Sequence, residues 1–396
     1  MSIKRLFAIY LPLFALLTLW YVELTAVILS VLIYGNVFKM LEKVNKRWVI
    51  YIFLFTLAEI ALMLFLNYNI RKCIEQILLI SVTCFFYCAY FVQVLKCDIA
   101  LFVKCYLNMI TVLVCYALIA FAMRITISGR LEGWGGEPGD IALLVLPALV
   151  YYFYYREISL RSILASLAFI LAESLASFTA LVVIVIMIFI LISRKNVFFI
   201  CAFSLFFFVG ISKAGKLSEE NQEEDGIALK FNQTWKVFQN EKIDLWELET
   251  MNASTYAFLT NFYVAVNSPS RLLGTGLGTH PASYEIIYPP NRTTYRLYGL
   301  NSNDAYSLLL RLYSEAGGFG LMFLLFFLYR NFNSKCLYSF MALAYIINAC
   351  ITGGHYTANG SMLFFVFYYF AGHYGIQSDL KDRKKIMVDC IIKKKC

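Results

Sequence analysis

Phe178-Thr-Ala-Leu-Val-Val-Ile-Val-Ile-Met-Ile-Phe-Ile-Leu-Ile192 is a run of fifteen residues without a charge, apolar on every face of the helix it predicts. Similar runs recur along the chain, separated by short charged clusters. With 61% hydrophobic residues, a mean hydropathy of +0.69 and 15% charged residues, the composition excludes a soluble fold and describes a polytopic membrane protein.

Each run is near the ~20 residues that cross the hydrocarbon core. The expectation is an all-α integral membrane protein of about twelve transmembrane helices: 6–21, a return from a turn at Glu23 to residue 40, 48–66, 77–95, 101–123, 141–155, 162–171, 178–192, 197–211, one within 306–329, 336–351 and 362–375. Four regions follow: an N-terminal membrane region (1–212, about nine spans), a long polar loop (213–303), a C-terminal membrane region (304–376, about three spans) and a basic tail (377–396). Lys4/Arg5 before the first run resemble a signal peptide, but no small-residue cleavage site follows, so a retained span is expected.

Orientation is read from the cations. Lys4/Arg5, Lys43/Lys46/Arg47, Lys96, Arg156/Arg161, Arg194/Lys195, Arg330/Lys335 and the tail from Lys381 to Lys395 fall on one side of a twelve-span map. The positive-inside rule makes that side cytoplasmic and the long loop extracytoplasmic. This topology and membrane lipids account for the net charge of +9, and no nucleic-acid partner is implied. None of the eleven cysteines lies in the long loop, which excludes a disulfide-stapled exterior. Without a Cys-x-x-Cys or His-Glu-x-x-His motif, and with three histidines far apart, neither a metal nor another cofactor is expected.

A membrane protein that only holds itself together has no use for ninety polar residues at one connection, so the loop is the expected working face. Glu219 to Asp225 reads as solvated surface, while Phe231, Trp235, Phe238 and Trp246 predict short amphipathic helices against the membrane. A further helix is predicted over 254–266, stopped by Asn267-Ser-Pro269. Next comes Arg271-Leu-Leu-Gly274-Thr-Gly276-Leu-Gly278-Thr-His280, whose glycines allow close backbone approach or a sharp turn. No strand and helix frame it, so a dinucleotide fold and a Walker loop are excluded.

The next span opens Asn301-Ser-Asn303-Asp304-Ala-Tyr306-Ser307 and continues Arg311-Leu-Tyr-Ser-Glu315-Ala-Gly317-Gly-Phe-Gly320. Upstream stands Gly129-Arg130-Leu-Glu-Gly133-Trp-Gly-Gly-Glu137-Pro138. Together these segments resemble the O-antigen polymerase and ligase superfamily. The resemblance implies a GT-C-like, metal-independent membrane glycosyltransferase of the bacterial inner membrane, active at the periplasmic face in lipopolysaccharide or surface-polysaccharide biosynthesis. Implied partners are undecaprenyl-diphosphate-linked oligosaccharides as donor and acceptor, a chain-length regulator and a flippase. Ligases of the superfamily place His-[Asn/Ser/Gln] nine residues before Gly-x-x-Gly. Tyr306-Ser307 occupy that place here, which favours a polymerase over a ligase.

Displacing a diphosphate from an anomeric carbon builds charge on the leaving group, and arginines match phosphate oxygens bidentately. Arg130 and Arg271, each beside a glycine-rich turn, and Arg311 are the candidate diphosphate ligands, with Arg124 secondary; Arg292 and Arg296 read as loop surface. Glu315, four residues after Arg311, makes either an internal pair or a lining of the cleft. Glu137, Asp304 and His280 are the candidates for taking the acceptor proton, Asp304 being also a plausible helix starter. Tyr306 and His355 are secondary candidates. Glu59 and Lys104 read as a helix bridge, or with Glu173 as an ion path. A flippase or other twelve-span transporter is the rival class, against which stand the lopsided loops and the lack of an internal repeat.

Overall fold

The computed structural model describes residues 2–18, 22–43, 46–125, 131–132, 138–155, 157–172, 174–192, 253–289, 297–353, 355–357 and 360–375. All regular structure among them is helical. In order these are α1 (Ile3–Thr18), α2 (Glu23–Tyr34), α3 (Val37–Lys43), α4 (Lys46–Leu66), α5 (Ile70–Ala89, continued by a π-helical turn Tyr90–Val94), α6 (Ile99–Ala122), α7 (Pro138–Tyr155), α8 (Leu160–Leu171), α9 (Leu175–Ile192), α10 (Ala253–Val266), α11 (His280–Ile287), α12 (Leu308–Asn331), α13 (Leu337–Ile351) and α14 (361–375). Three stretches are long and apolar enough to cross a membrane: Ile70–Val94, Ile99–Ala122 and Leu308–Asn331. The run expected over 197–211, and the loop aromatics from Phe231 to Trp246, lie outside the described residues.

Two predicted spans differ in shape. The second does not run unbroken to residue 40. Helix α2 stops at Tyr34 because Gly35 turns extended, and Gln93 takes up the freed backbone, its amide donating to the Asn36 carbonyl at 2.8 Å and its oxygen accepting from the Asn36 N–H. The fourth starts at Ile70, where Asn69 caps the Arg71 N–H at 3.0 Å, and widens into the π-helical turn. Arg5 closes that turn, donating to the carbonyls of Val94 at 2.9 Å and Leu95 at 3.1 Å.

The core is a bundle in which α1 packs on α2 and α6, α7 on α8 and α13, and α9 on α13. Aromatic rings fill its centre: Tyr345 and Phe364 stack at 3.9 Å, and Phe102 lies between Phe91 at 5.1 Å and Phe367 at 4.8 Å. The outside is equally apolar. Ile50, Tyr51, Ile52, Phe53, Leu54 and Phe55 on α4 are all exposed, as are Phe319, Met322, Phe323, Leu325 and Phe326 on α12. Water would penalise six consecutive exposed apolar side chains by roughly 1.5 to 3 kcal/mol each relative to burial, whereas lipid does not. The polar segment contributes α10 and α11, which pack on each other and on α12.

Candidate functional site

Helix α12 starts at Ser307, whose hydroxyl accepts from the Leu310 N–H at 3.1 Å. Ser307 is therefore the cap, and Asp304 is not. Ten residues on, the helix breaks at Gly317, where φ is 61° and ψ −157°. A break inside an apolar helix strands backbone donors and acceptors that lipid cannot satisfy. Here the glycine-rich turn takes them up. Thr275 and Gly276 donate to the carbonyls of Ser314 and Glu315 at 3.0 and 2.8 Å, and the carbonyls of Arg271 and Leu272 accept from Gly318 and Phe319 at 2.9 and 3.1 Å. The close approach that the glycines permit is thus to α12 itself. On its other side the turn meets α4, where the buried Glu59 carboxylate accepts from the Leu277 N–H at 3.1 Å.

The turn delivers His280 to the first residue of α11, against the buried face of α12. There Arg311 donates from Nε to Glu315 at 3.2 Å, and its guanidinium lies 4.6 Å over the Tyr356 ring. The Tyr356 hydroxyl donates to the other Glu315 oxygen at 3.0 Å, and the His280 N–H approaches the first at 3.4 Å. Both groups are buried, so Arg311 and Glu315 form an internal pair that fixes the turn of helix beneath the bracket. Burial, reinforced by the Glu315 charge, holds the Tyr356 hydroxyl protonated well above its usual range. Burial first and the Arg311 charge second push the His280 imidazole down to about 3.

Asp304, Tyr306 and His355 meet at the mouth of α12. Asp304 accepts from the Tyr306 N–H at 3.1 Å and stands 3.5 Å from His355 Nε2. Burial lowers the His355 value, the Asp304 carboxylate opposes that, and Arg311 adds to it. The connecting backbone is strained: Asn301, Ala305 and Tyr306 have φ of 59°, 59° and 63°. The Tyr306 carbonyl is pinned by the Gly353 N–H at 2.8 Å.

Six of the sequence-predicted residues, His280, Arg311, Glu315, Asp304, Tyr306 and His355, therefore converge around the first turns of α12. Arg271 is held further along the helix, its carbonyl accepting from the Gly318 N–H beyond the break, and keeps an exposed side chain. Arg124 stands two residues past the end of α6, its N–H donating to the Phe121 carbonyl at 3.0 Å. Arg130, Glu137, Glu173, Arg292 and Arg296 lie outside the described residues. The expected Glu59–Lys104 bridge is not formed, because Glu59 turns to the Leu277 N–H while Lys104 is exposed on α6. Among the described residues no three His, Cys, Asp or Glu side chains gather as a metal ion would require.

Two contributors were missed in the sequence, Asn261 and Tyr356. Asn261 stands in the middle of α10, a helix without a charged residue, and an amide among those apolar neighbours was the available signal. The chain matches no known family model and no curated protein sequence.

Proposed function

We propose that this chain is a membrane glycosyltransferase that polymerises lipid-diphosphate-linked oligosaccharide repeat units at the outer face of the bacterial inner membrane, as an O-antigen or surface-polysaccharide polymerase. The reading rests on the family resemblance of the glycine turn and the Glu-x-Gly-x-x-Gly helix. The observation that carries it is the four-bond bracket between them, which seats a turn carrying an exposed arginine and a buried imidazole against a buried carboxylate at the break of one long apolar helix.

In this reading the growing chain on its lipid diphosphate is the donor and the terminal sugar of a new unit the acceptor. The acceptor oxygen bonds to the anomeric carbon, the bond from that carbon to the diphosphate oxygen breaks, and the acceptor proton passes to a carboxylate. Asp304 is assigned that proton, because its side chain is 15% exposed whereas Glu315 is fully enclosed with both oxygens bonded. Arg271 is assigned the leaving diphosphate, since its exposed guanidinium can present a bidentate fork.

Deletion of the gene in its own host, followed by electrophoresis of the surface polysaccharide, tests the reading. A single capped repeat unit is the expected result. Polymer retained on carrier lipid indicates a ligase, and units accumulating on the cytoplasmic side indicate a flippase; either result overturns the proposal.

A further inference from the structure

The His280 ring is enclosed, with no exposed surface, yet only one of its nitrogens has a protein partner among the described residues. Nε2 lies 2.9 Å from Asn261 Oδ1. The orientation of that amide is fixed independently: Asn261 Nδ2 donates to the carbonyls of Ala257 at 2.6 Å and Leu300 at 3.4 Å. An amide oxygen is an acceptor only, so Nε2 carries the ring proton and Nδ1 is left as a bare lone pair. Ser314 Oγ, one residue before the carboxylate that the His280 N–H approaches, is a second buried polar atom without a partner among the described residues. Native interiors rarely leave such atoms unmatched.

We infer that His280 is a hydrogen-bond acceptor for an O–H donor outside the described residues, with Asn261 as the residue that sets its tautomer. The donor class is hydroxylic, a resident water or a sugar hydroxyl of the substrate; only the second source rests on the glycosyl-transfer reading. His280 on this view carries no proton through a reaction cycle. The charged groups facing it are Arg311 and Glu315 on α12, with Glu59 across the turn, while α10 presents only the neutral Asn261. The depressed imidazole value agrees with a ring that stays neutral.

Histidine-selective 15N NMR of the detergent-solubilised full chain tests this directly, since there are three histidines to resolve. The expected spectrum assigns His280 a protonated Nε2 and an unprotonated, hydrogen-bonded Nδ1 that stays so between pH 8 and 5. A proton on Nδ1, a lone pair with the shift of an unbonded nitrogen, or titration within that range overturns the inference without reference to activity. Adding lipid-linked repeat units from a strain deleted for the gene separates the sources: a changed Nδ1 shift assigns a substrate hydroxyl, an unchanged one a resident water. Asn261→Asp keeps an acceptor at Nε2 but adds a negative charge. It is expected to bring His280 titration into the pH 5 to 8 range and, for a substrate-facing Nδ1, to give the elongation rate a new acid limb falling about tenfold per pH unit. A folded Asn261→Asp protein whose His280 still does not titrate overturns the role of Asn261, and should that variant fail to fold, the wild-type spectrum still decides the tautomer.

Discussion

Gly274 and Gly317 meet backbone to backbone: a Cβ on Gly317 would stand 2.6 Å from the Gly274 nitrogen, and a Cβ on Gly274 would stand 2.3 Å from the Glu315 carbonyl oxygen. Both residues have positive φ, 74° and 61°. The contact seats the turn in the break of α12, so everything the turn carries depends on it. Gly317→Ala is expected to cost roughly 2 to 5 kcal/mol, combining a nearly glycine-only conformation with a clash. Thermal unfolding in detergent measures it, and a shift no larger than that of Gly139→Ala, where a Cβ meets nothing within 4 Å, would contradict the bracket.

Removing one member of the Arg311–Glu315 pair leaves a buried charge uncompensated. Arg311→Met and Glu315→Gln should each destabilise by about 3 to 5 kcal/mol, and the double variant by clearly less than their sum. Additive losses would show that the two side chains do not interact.

Arg271 differs in kind, because its side chain is exposed and only its backbone serves the fold. Arg271→Lys keeps the charge but loses the bidentate fork, so polymer length should collapse with the protein still made and inserted. The expected loss is about a hundred- to a thousandfold in rate. Arg71→Lys, which alters a surface pair with Glu75, should be silent. Normal ladders from Arg271→Lys at matched expression would remove it from the site.

Asp304→Asn retains an acceptor for the Tyr306 N–H and removes the charge to which the proposed reaction assigns the acceptor proton. Elongation should fall by about 100- to 10,000-fold with little change in melting temperature. Wild-type turnover in this variant would move the proton acceptor elsewhere, with Glu137 next to be replaced.

The pH dependence of stability has a definite sign. His280 titrates near 3 when folded, against an ordinary value of 6.5, so on acidification the unfolded chain takes up the proton first. Its contribution is fully present above about pH 6.5 and is lost progressively as pH falls toward 3. Melting temperatures of the wild type and His280→Gln should therefore converge on acidification. Parallel curves would mean that His280 is solvated in the folded state.

Much of this protein was legible in local sequence. Apolar runs without charge specify helices that lipid tolerates, because a helix satisfies its own backbone wherever it lies. The Ala253–Val266 helix with its Asn-Ser-Pro stop follows from spacing and cap chemistry, as does the Arg311–Glu315 pair four residues apart. What only the tertiary structure decided was the use of the glycines, the partner of Glu59 and the tautomer of His280. Glu59 and Leu277 stand 218 positions apart, and no periodicity says which apolar helices become neighbours. Gly317 gives the turn a docking place only by breaking α12, and the stranded donors and acceptors of that break come into being only when the helix forms. Apolar patterning made these segments helices fit for a membrane, while the need to satisfy each buried backbone group chose which of them touch.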